Sequence, residues 1–119
     1  MAHSYVSSTS VIEPSAATSI AASAQNHTSG NLIVVSAYGY DSTGTQYPTV
    51  TSVTDTAGNT YYRAEHYSSI SVALEIWYAY NITGHASNVV TANFSCSVIY
   101  RQIGVHQYSG GYTSSAPLD

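Results

Sequence analysis

The sequence predicts an all-β protein, an antiparallel β-sandwich of jelly-roll-like form. Three observations support this fold class. Polar and apolar residues alternate with a period of two along most of the chain, groups of turn-forming residues separate the alternating segments, and helical periodicity is almost absent. A chain of 119 residues has room for one domain with one core, so residues 1–119 are interpreted as a single β-sandwich domain.

The first half of the chain predicts five strands. Two segments rich in serine and alanine, Tyr5 to Val11 and Ser19 to Ala24, suit sheet edges. Leu32 to Tyr38 begins with four consecutive apolar residues, as expected of a central strand covered on both faces. Val50 to Thr54 and Thr60 to His66 follow, with a turn between them.

Three more strands are predicted in the second half, where the alternation is clearest. In Ser71 to Tyr80, the large apolar residues fall on one face, which we interpret as the core face. Val89 to Phe94 is a shorter apolar segment. In Ile99 to Tyr108, Ile103 and Val105 share a face with Arg101, and the opposite face is polar and aromatic. The residues predicted to be buried are Val34, Leu74, Ile76, Val90, Phe94 and Ile103.

The segment Asp55 to Asn59 predicts a tight turn. Asp55 is placed to cap backbone amides, and Gly58 can adopt the positive φ that such turns require. Carboxylate and amide oxygens are also the ligands that Ca²⁺ prefers. Asp55 and Asn59 are therefore the candidate calcium ligands, and the sequence points to no other cofactor.

The composition predicts an extracellular protein with an uncharged polar surface. The chain has twelve tyrosines, two arginines and no lysine, and 7% of its residues are charged, against about 25% in typical soluble domains. With a net charge of −4, it lacks the basic track that nucleic-acid binding requires. No run of 18 apolar residues is present, which excludes an inserted membrane helix.

Five phrases occur in an order that resembles a known family. They are Gly30 to Val35, Val50 to Tyr61, Ile76 to Gly84, His106 to Gly110 and Pro117 to Asp119. Together they resemble secreted bacterial β-sandwich modules, mostly of unassigned activity, that recur in large extracellular proteins and beside carbohydrate-active enzymes. The resemblance covers roughly residues 4 to 119 and implies the same fold and an extracellular location.

The chain departs from these modules in two respects. It has His106 where they commonly have an acidic residue, and they usually continue with further strands beyond the Pro-Leu-Asp phrase. A sandwich that lacks such strands would expose apolar surface and unpaired backbone amides, which a second copy of the chain would cover. The resemblance therefore implies a homo-oligomer, whereas a closed sandwich of eight strands within residues 1–119 is the alternative.

One sheet face is predicted to bind a glycan or cell-surface polysaccharide. Aromatic rings beside carboxylate and amide groups stack on a sugar ring and hydrogen-bond its hydroxyls. If the alternate residues of three strands share one sheet face, that face combines aromatic rings with carboxylate and amide groups. The predicted ligand-binding residues are Trp77, Tyr61, Tyr67, Glu75, Tyr100, His106 and Tyr108.

Three functions from different classes follow from these patterns. The first is a non-catalytic extracellular module that recognises carbohydrate through the aromatic face. The second is a self-associating structural or adhesive subunit of an extracellular assembly, since a low surface charge favours association. The third is a glycoside hydrolase in which Glu65 and Glu75 form the carboxylate pair, which requires about 5 to 9.5 Å between the two carboxyl groups.

Overall fold

The computed structural model describes residues 3–110. This range contains ten strands and no helix. They are β1 (Ser4–Glu13), β2 (Ala17–Ala21), β3 (Gln25–His27), β4 (Leu32–Tyr40), β5 (Val50–Asp55), β6 (Tyr62–Ser69), β7 (Val72–Ala79), β8 (His85–Asn88), β9 (Val90–Val98) and β10 (Tyr100–Ser109). All eight predicted strands are confirmed, and the short strands β3 and β8 were not predicted. The phrase Pro117 to Asp119 lies outside the described residues.

The strands form antiparallel sheets that pack as a β-sandwich. The larger sheet has the order β1-β10-β4-β7-β6, the smaller sheet has the order β2-β9-β5, and β3 pairs with β8 in a two-stranded ribbon. As predicted, β4 is a central strand, but the prediction that both of its faces are covered is wrong, since Val34, Ser36 and Tyr38 are only half-buried and Tyr40 is exposed. The all-β antiparallel sandwich is thus confirmed, and the jelly-roll description stays a prediction.

The core lies between the two sheets. Alternate residues of β4 and β10 meet the apolar residues of β5 and β9, and the buried side chains include Ile33, Val35, Ala37, Val50, Val53, Val90, Phe94, Ile103 and Val105. The ring of Phe94 packs directly on Gly39 of β4. A Cβ at position 39 would lie 2.7 Å from the ring atom Cε1 of Phe94, so a larger residue would not fit there. The predicted burial of Val90, Phe94 and Ile103 is confirmed.

The predicted core face of β7 is wrong. Leu74 is 48% exposed and Ile76 is 42% exposed, and both lie on the solvent side of the five-stranded sheet, called the outer face below. Val34, opposite Tyr78 in the register, is on the same side and half-buried. The core instead receives the other side of β7, which includes Glu75 and Trp77.

A β-bulge in β6 changes which of its residues share a face. Arg63 pairs with Trp77, but the next paired residue, Glu65, lies opposite Ile76, so Ala64 is an extra residue. A one-residue insertion inverts the side-chain alternation on either side of it. Arg63 therefore points into the sandwich, whereas Glu65 and Tyr67 are on the outer face.

Arg101 also points inward from the larger sheet. It is buried, and its guanidinium donates hydrogen bonds to the carbonyl oxygen of Ser15, 3.0 Å away, and to the carbonyl oxygen of Ser19. It joins β10 to the segment that leads into β2. Because both arginines are directed to the inside, no arginine lies on the outer face.

Residues 3–110 contain no helix that is long and apolar enough to cross a bilayer.

Candidate functional site

The structure divides the predicted ligand-binding residues between two faces of the larger sheet. Tyr67, Tyr100, His106 and Tyr108 are on the outer face, where β6 and β10 place them. Trp77, Glu75 and Tyr61 are buried. The single aromatic platform expected from sequence is therefore not assembled, and its predicted centre, Trp77, is 8% exposed inside the core.

Glu75 is the centre of a hydrogen-bond network inside the sandwich. It is 1% exposed, and its Oε1 accepts a hydrogen bond from Trp77 Nε1 at 3.0 Å and forms an ion pair with Arg63 Nε at 2.9 Å. Its Oε2 accepts from the backbone amide of Val50 at 2.7 Å. A buried carboxylate is tolerated when its oxygens are paired in this way. Glu75 therefore fastens β7 to β5 and is not available to a ligand.

Glu65 and Glu75 lie on opposite sides of the larger sheet. Glu65 is on the outer face and exposed to solvent, whereas Glu75 points into the core on the other side of the same sheet. The backbone layer thus separates the two carboxylates.

The predicted turn at Asp55 is confirmed, and Gly58 has a φ of 80°. The carboxylate of Asp55 accepts four hydrogen bonds, from Asn59 N, Asn59 Nδ2, Asn88 Nδ2 and Tyr61 Oη, all within 2.9 to 3.0 Å. Burial alone raises the pKa of Asp55, but the hydrogen bonds from Asn59, Asn88 and Tyr61 outweigh it and lower the pKa below its usual value. These donors use the oxygens that a calcium ion would need, so the turn is explained without a metal.

His27 lies at the buried end of the same network. It is 2% exposed, and its Nδ1 is 2.9 Å from Asn88 Nδ2. Asn88 Oδ1 accepts from the Ala57 amide, so Nδ2 is the atom that faces both His27 and Asp55. His27 Nδ1 must then accept, which places the imidazole proton on Nε2, a buried atom with no hydrogen-bond partner in the described part of the chain. The network requires a neutral histidine.

The free energy of unfolding should decrease as pH falls, because His27 is protonated more readily in the unfolded chain than in the folded protein. Burial lowers the pKa of His27 from its ordinary value of 6.5, although the Asp55 charge acts in the opposite direction. The unfolded chain therefore binds the proton first as pH falls. We expect a free energy of unfolding that is highest above the unfolded pKa of 6.5 and decreases below it, by at most about 1.4 kcal/mol per pH unit. Urea unfolding at a series of pH values between about 7.5 and about 5 measures this slope.

The matched variants for this experiment are His27→Gln and His85→Gln. The first removes the buried imidazole and should flatten the slope below pH 6.5, even if it lowers stability at every pH. The second changes an exposed histidine on the paired strand β8 and should leave the slope in place. An unchanged slope in His27→Gln would contradict the assignment.

A groove that sequence reasoning did not identify lies at one end of the larger sheet. It has a volume of about 310 Å³ and is lined by Gly58, Asn59, Thr60, Tyr62, Tyr80, Asn81 and Thr83. The turn after β5 forms one wall, and the segment after β7 forms the other. Asn59 joins the walls, because its Nδ2 donates to the Thr83 carbonyl at 3.1 Å and its Oδ1 accepts from the Thr83 amide at 2.8 Å.

Three tyrosine rings adjoin this groove. Tyr62 and Tyr80 are stacked with ring centroids 5.9 Å apart, and Tyr78 is 5.7 Å from Tyr62 and 6.3 Å from Tyr80. Tyr62 and Tyr78 are cross-strand partners in β6 and β7. The site thus combines an aromatic cluster with amide and hydroxyl groups held by two mutually bonded turns.

The sequence does contain a signal for this site. Tyr78 and Tyr80 are two residues apart and thus lie on one side of an extended segment, and the turn Asp55 to Asn59 shortly precedes Tyr62. The sequence does not reveal the bulge at Ala64, because of which Glu65 and Tyr67 share the outer face with Tyr62 and not the inner side with Arg63. Regular alternation extended through the bulge predicts Tyr61, and not Tyr62, as a ligand-binding residue.

Comparison of the chain with protein-family models, with curated proteins and with solved structures finds no match in any of the three.

Proposed function

We propose that this chain is an extracellular, non-catalytic module that binds neutral carbohydrate in the groove beside Tyr62 and Tyr80. The observation that carries the proposal is the stacked tyrosine cluster at the edge of a polar groove. The flat apolar face of a pyranose packs on an aromatic ring, and its hydroxyls require nearby amide and hydroxyl groups. Both kinds of group line the groove.

The dimensions and rigidity of the groove also support a sugar ligand. Its volume of about 310 Å³ is at the lower end of the range for small-molecule sites, about 300 to 1,000 Å³. The Asn59–Thr83 hydrogen bonds fix the distance between the walls before a ligand arrives. A preformed site loses less conformational entropy on binding.

The charge of the site favours a neutral sugar over an anionic one. The groove lining contains no charged side chain, and Arg63 is directed toward Glu75 inside the sandwich. Recognition of sulfate or uronate groups generally uses arginine or lysine. A neutral polysaccharide outside the cell is the partner that fits an uncharged, tyrosine-rich surface.

The experiment is affinity electrophoresis against soluble neutral polysaccharides, namely a β-glucan, a xylan and a galactomannan, followed by calorimetry with the one that retards the protein. We expect Tyr62→Ala to weaken binding at least about fivefold, since truncation of a central aromatic contact costs more than about 1 kcal/mol. Tyr62 is 44% exposed, so the variant should remain folded.

Tyr67→Ala is the matched control. Tyr67 lies on the same strand and the same face and is also exposed, but it is not part of the groove. Its removal should leave the affinity unchanged. Equal losses in both variants would indicate a site elsewhere on the sheet, and the absence of retardation by every neutral polysaccharide would refute the proposal.

A further inference from the structure

A continuous series of hydrogen bonds joins the buried imidazole of His27 to the groove beside Tyr62 and Tyr80. Asn88 Nδ2 is 2.9 Å from His27 Nδ1 and donates to the Asp55 carboxylate at 3.0 Å. The same carboxylate accepts hydrogen bonds from Asn59. The side chain of Asn59 in turn holds the backbone of position 83 on the opposite wall of the groove. The imidazole is therefore connected to both walls.

Asn88 is held in one orientation by three neighbours with different requirements. Asp55 requires a donor, and the backbone amide of Ala57 requires an acceptor. His27 Nδ1 requires a donor as long as the imidazole is neutral. The two hydrogens on Nδ2 and the oxygen Oδ1 of Asn88 satisfy all of these partners together. Because Asp55 and Ala57 belong to the turn that forms one wall of the groove, the orientation of Asn88 supports that wall.

Protonation of His27 makes these requirements incompatible. The second proton of the imidazole occupies Nδ1, which then becomes a donor facing the donor Nδ2 of Asn88. If the amide of Asn88 rotates to offer Oδ1 to the imidazolium, Nδ2 is turned toward the backbone amide of Ala57. The amide oxygen then also faces the carboxylate of Asp55. Each orientation leaves buried polar groups opposed or without a partner, which is unfavourable at a site that excludes water.

We propose that His27 is a pH-sensitive element of the groove, and that its protonation loosens the turn Asp55 to Asn59 and weakens the binding of neutral carbohydrate. The effect on affinity rests on the proposed function, whereas the coupling of His27 to the groove walls does not. A ligand that binds better to the intact groove favours the neutral imidazole. Protonation and ligand binding therefore oppose each other reciprocally.

The other ionisable groups near His27 keep one charge state over the range in which this histidine titrates. Asp55, at the end of β5, is the charged group of residues 3–110 that acts on His27. Burial raises the pKa of Asp55, but its hydrogen bonds outweigh burial and lower the pKa below 3.8. Tyr61 donates to Asp55, and burial raises its pKa, so it stays protonated. His85 is opposite His27 in the ribbon of β3 and β8, but its side chain is exposed.

The first test uses the protein without carbohydrate. Nuclear magnetic resonance follows the His27 imidazole and the Thr83 backbone amide from about pH 7.5 to about pH 5, the range in which histidine titrates. We expect the Thr83 amide to shift with the same midpoint as the imidazole, below pH 6.5 because burial lowers the pKa of His27. The shift should disappear in His27→Gln and remain in the matched control His85→Gln.

Two results of this titration would overturn the proposal. One is a Thr83 amide that does not move or that follows a different midpoint from His27 in the wild-type protein. This comparison needs no variant, so it holds even if His27→Gln folds poorly. The other is an equal shift of the Thr83 amide in wild-type protein and in His27→Gln.

Calorimetry with the neutral polysaccharide that retards the protein then tests the control of binding. We expect the affinity of the wild-type protein to fall at least about fivefold from about pH 7.5 to about pH 5.5, the lower limit of typical couplings between sites. Circular dichroism checks that the protein stays folded. His27→Gln should bind equally well at both pH values, and an equal loss of affinity in this variant would refute the control by His27. If no neutral polysaccharide binds at either pH, the proposed function fails, and the titration of Thr83 decides whether His27 acts on the groove.

Discussion

Replacement of Glu75 by alanine should lower the free energy of unfolding by about 3 to 5 kcal/mol. The substitution leaves three donors without their acceptor, namely the backbone amide of Val50, Nε1 of Trp77 and the guanidinium of Arg63. Unpaired buried donors cost about 1 to 3 kcal/mol each. Arg63 loses less, because 41% of its side chain is exposed and can be hydrated.

Glu65→Ala is the control for this measurement. Glu65 is exposed, pairs with Ile76 on the outer face and accepts a local hydrogen bond from the His66 amide. Its removal should change stability by less than about 0.5 kcal/mol. Urea denaturation of the two variants compares them directly, and similar stabilities would show that Glu75 does not join the sheets.

The second large effect is expected at Phe94. Its ring is 5% exposed and packs over Gly39 between the two sheets. Phe94→Ala should therefore cost about 3 to 5 kcal/mol, from lost burial and from the cavity that remains. Thermal or urea unfolding measures this loss.

Leu74→Ala gives the contrasting result. Sequence alternation placed Leu74 in the core, but it is 48% exposed, and an exposed position leaves no closed cavity. Its removal should cost less than about 1 kcal/mol. A loss as large as that of Phe94→Ala would mean that β7 presents its other face to the core.

Local patterns were sufficient for eight of the ten described strands and for one turn. β4, β9 and β10 follow from their apolar alternation, and Asp55 to Asn59 follows from turn chemistry that acts over five residues. β3 and β8 were not predicted because Gln25–His27 and His85–Asn88 are polar segments. Their buried members are His27 and Asn88. Asn88 makes hydrogen bonds to His27 and to Asp55. Because these partners are far apart in the sequence, their contacts leave no periodic pattern of hydrophobicity.

The face of β7 could not be predicted for a related reason. Alternation compares hydrophobicity, and Leu74 and Ile76 are more hydrophobic than Glu75. The burial of Glu75 becomes favourable through Arg63 and the Val50 amide, which are 12 and 25 residues away in the chain. The prediction of the candidate site failed for a similar reason. The bulge in β6 places Arg63 and Glu65 on different faces of the sheet, and nothing in the local composition indicates that bulge.

The position of Trp77 determines what its fluorescence can report. It is the single tryptophan of the chain, and its indole lies in the core, with the guanidinium carbon of Arg63 5.3 Å from the ring centre. The fluorescence of Trp77 therefore changes when the two sheets separate, and it monitors unfolding. A sugar in the groove beside Tyr62 contacts the other side of the sheet. Quenching titrations of the kind used for tryptophan-lined lectins would therefore be silent for such a ligand, and tyrosine is the chromophore that would respond.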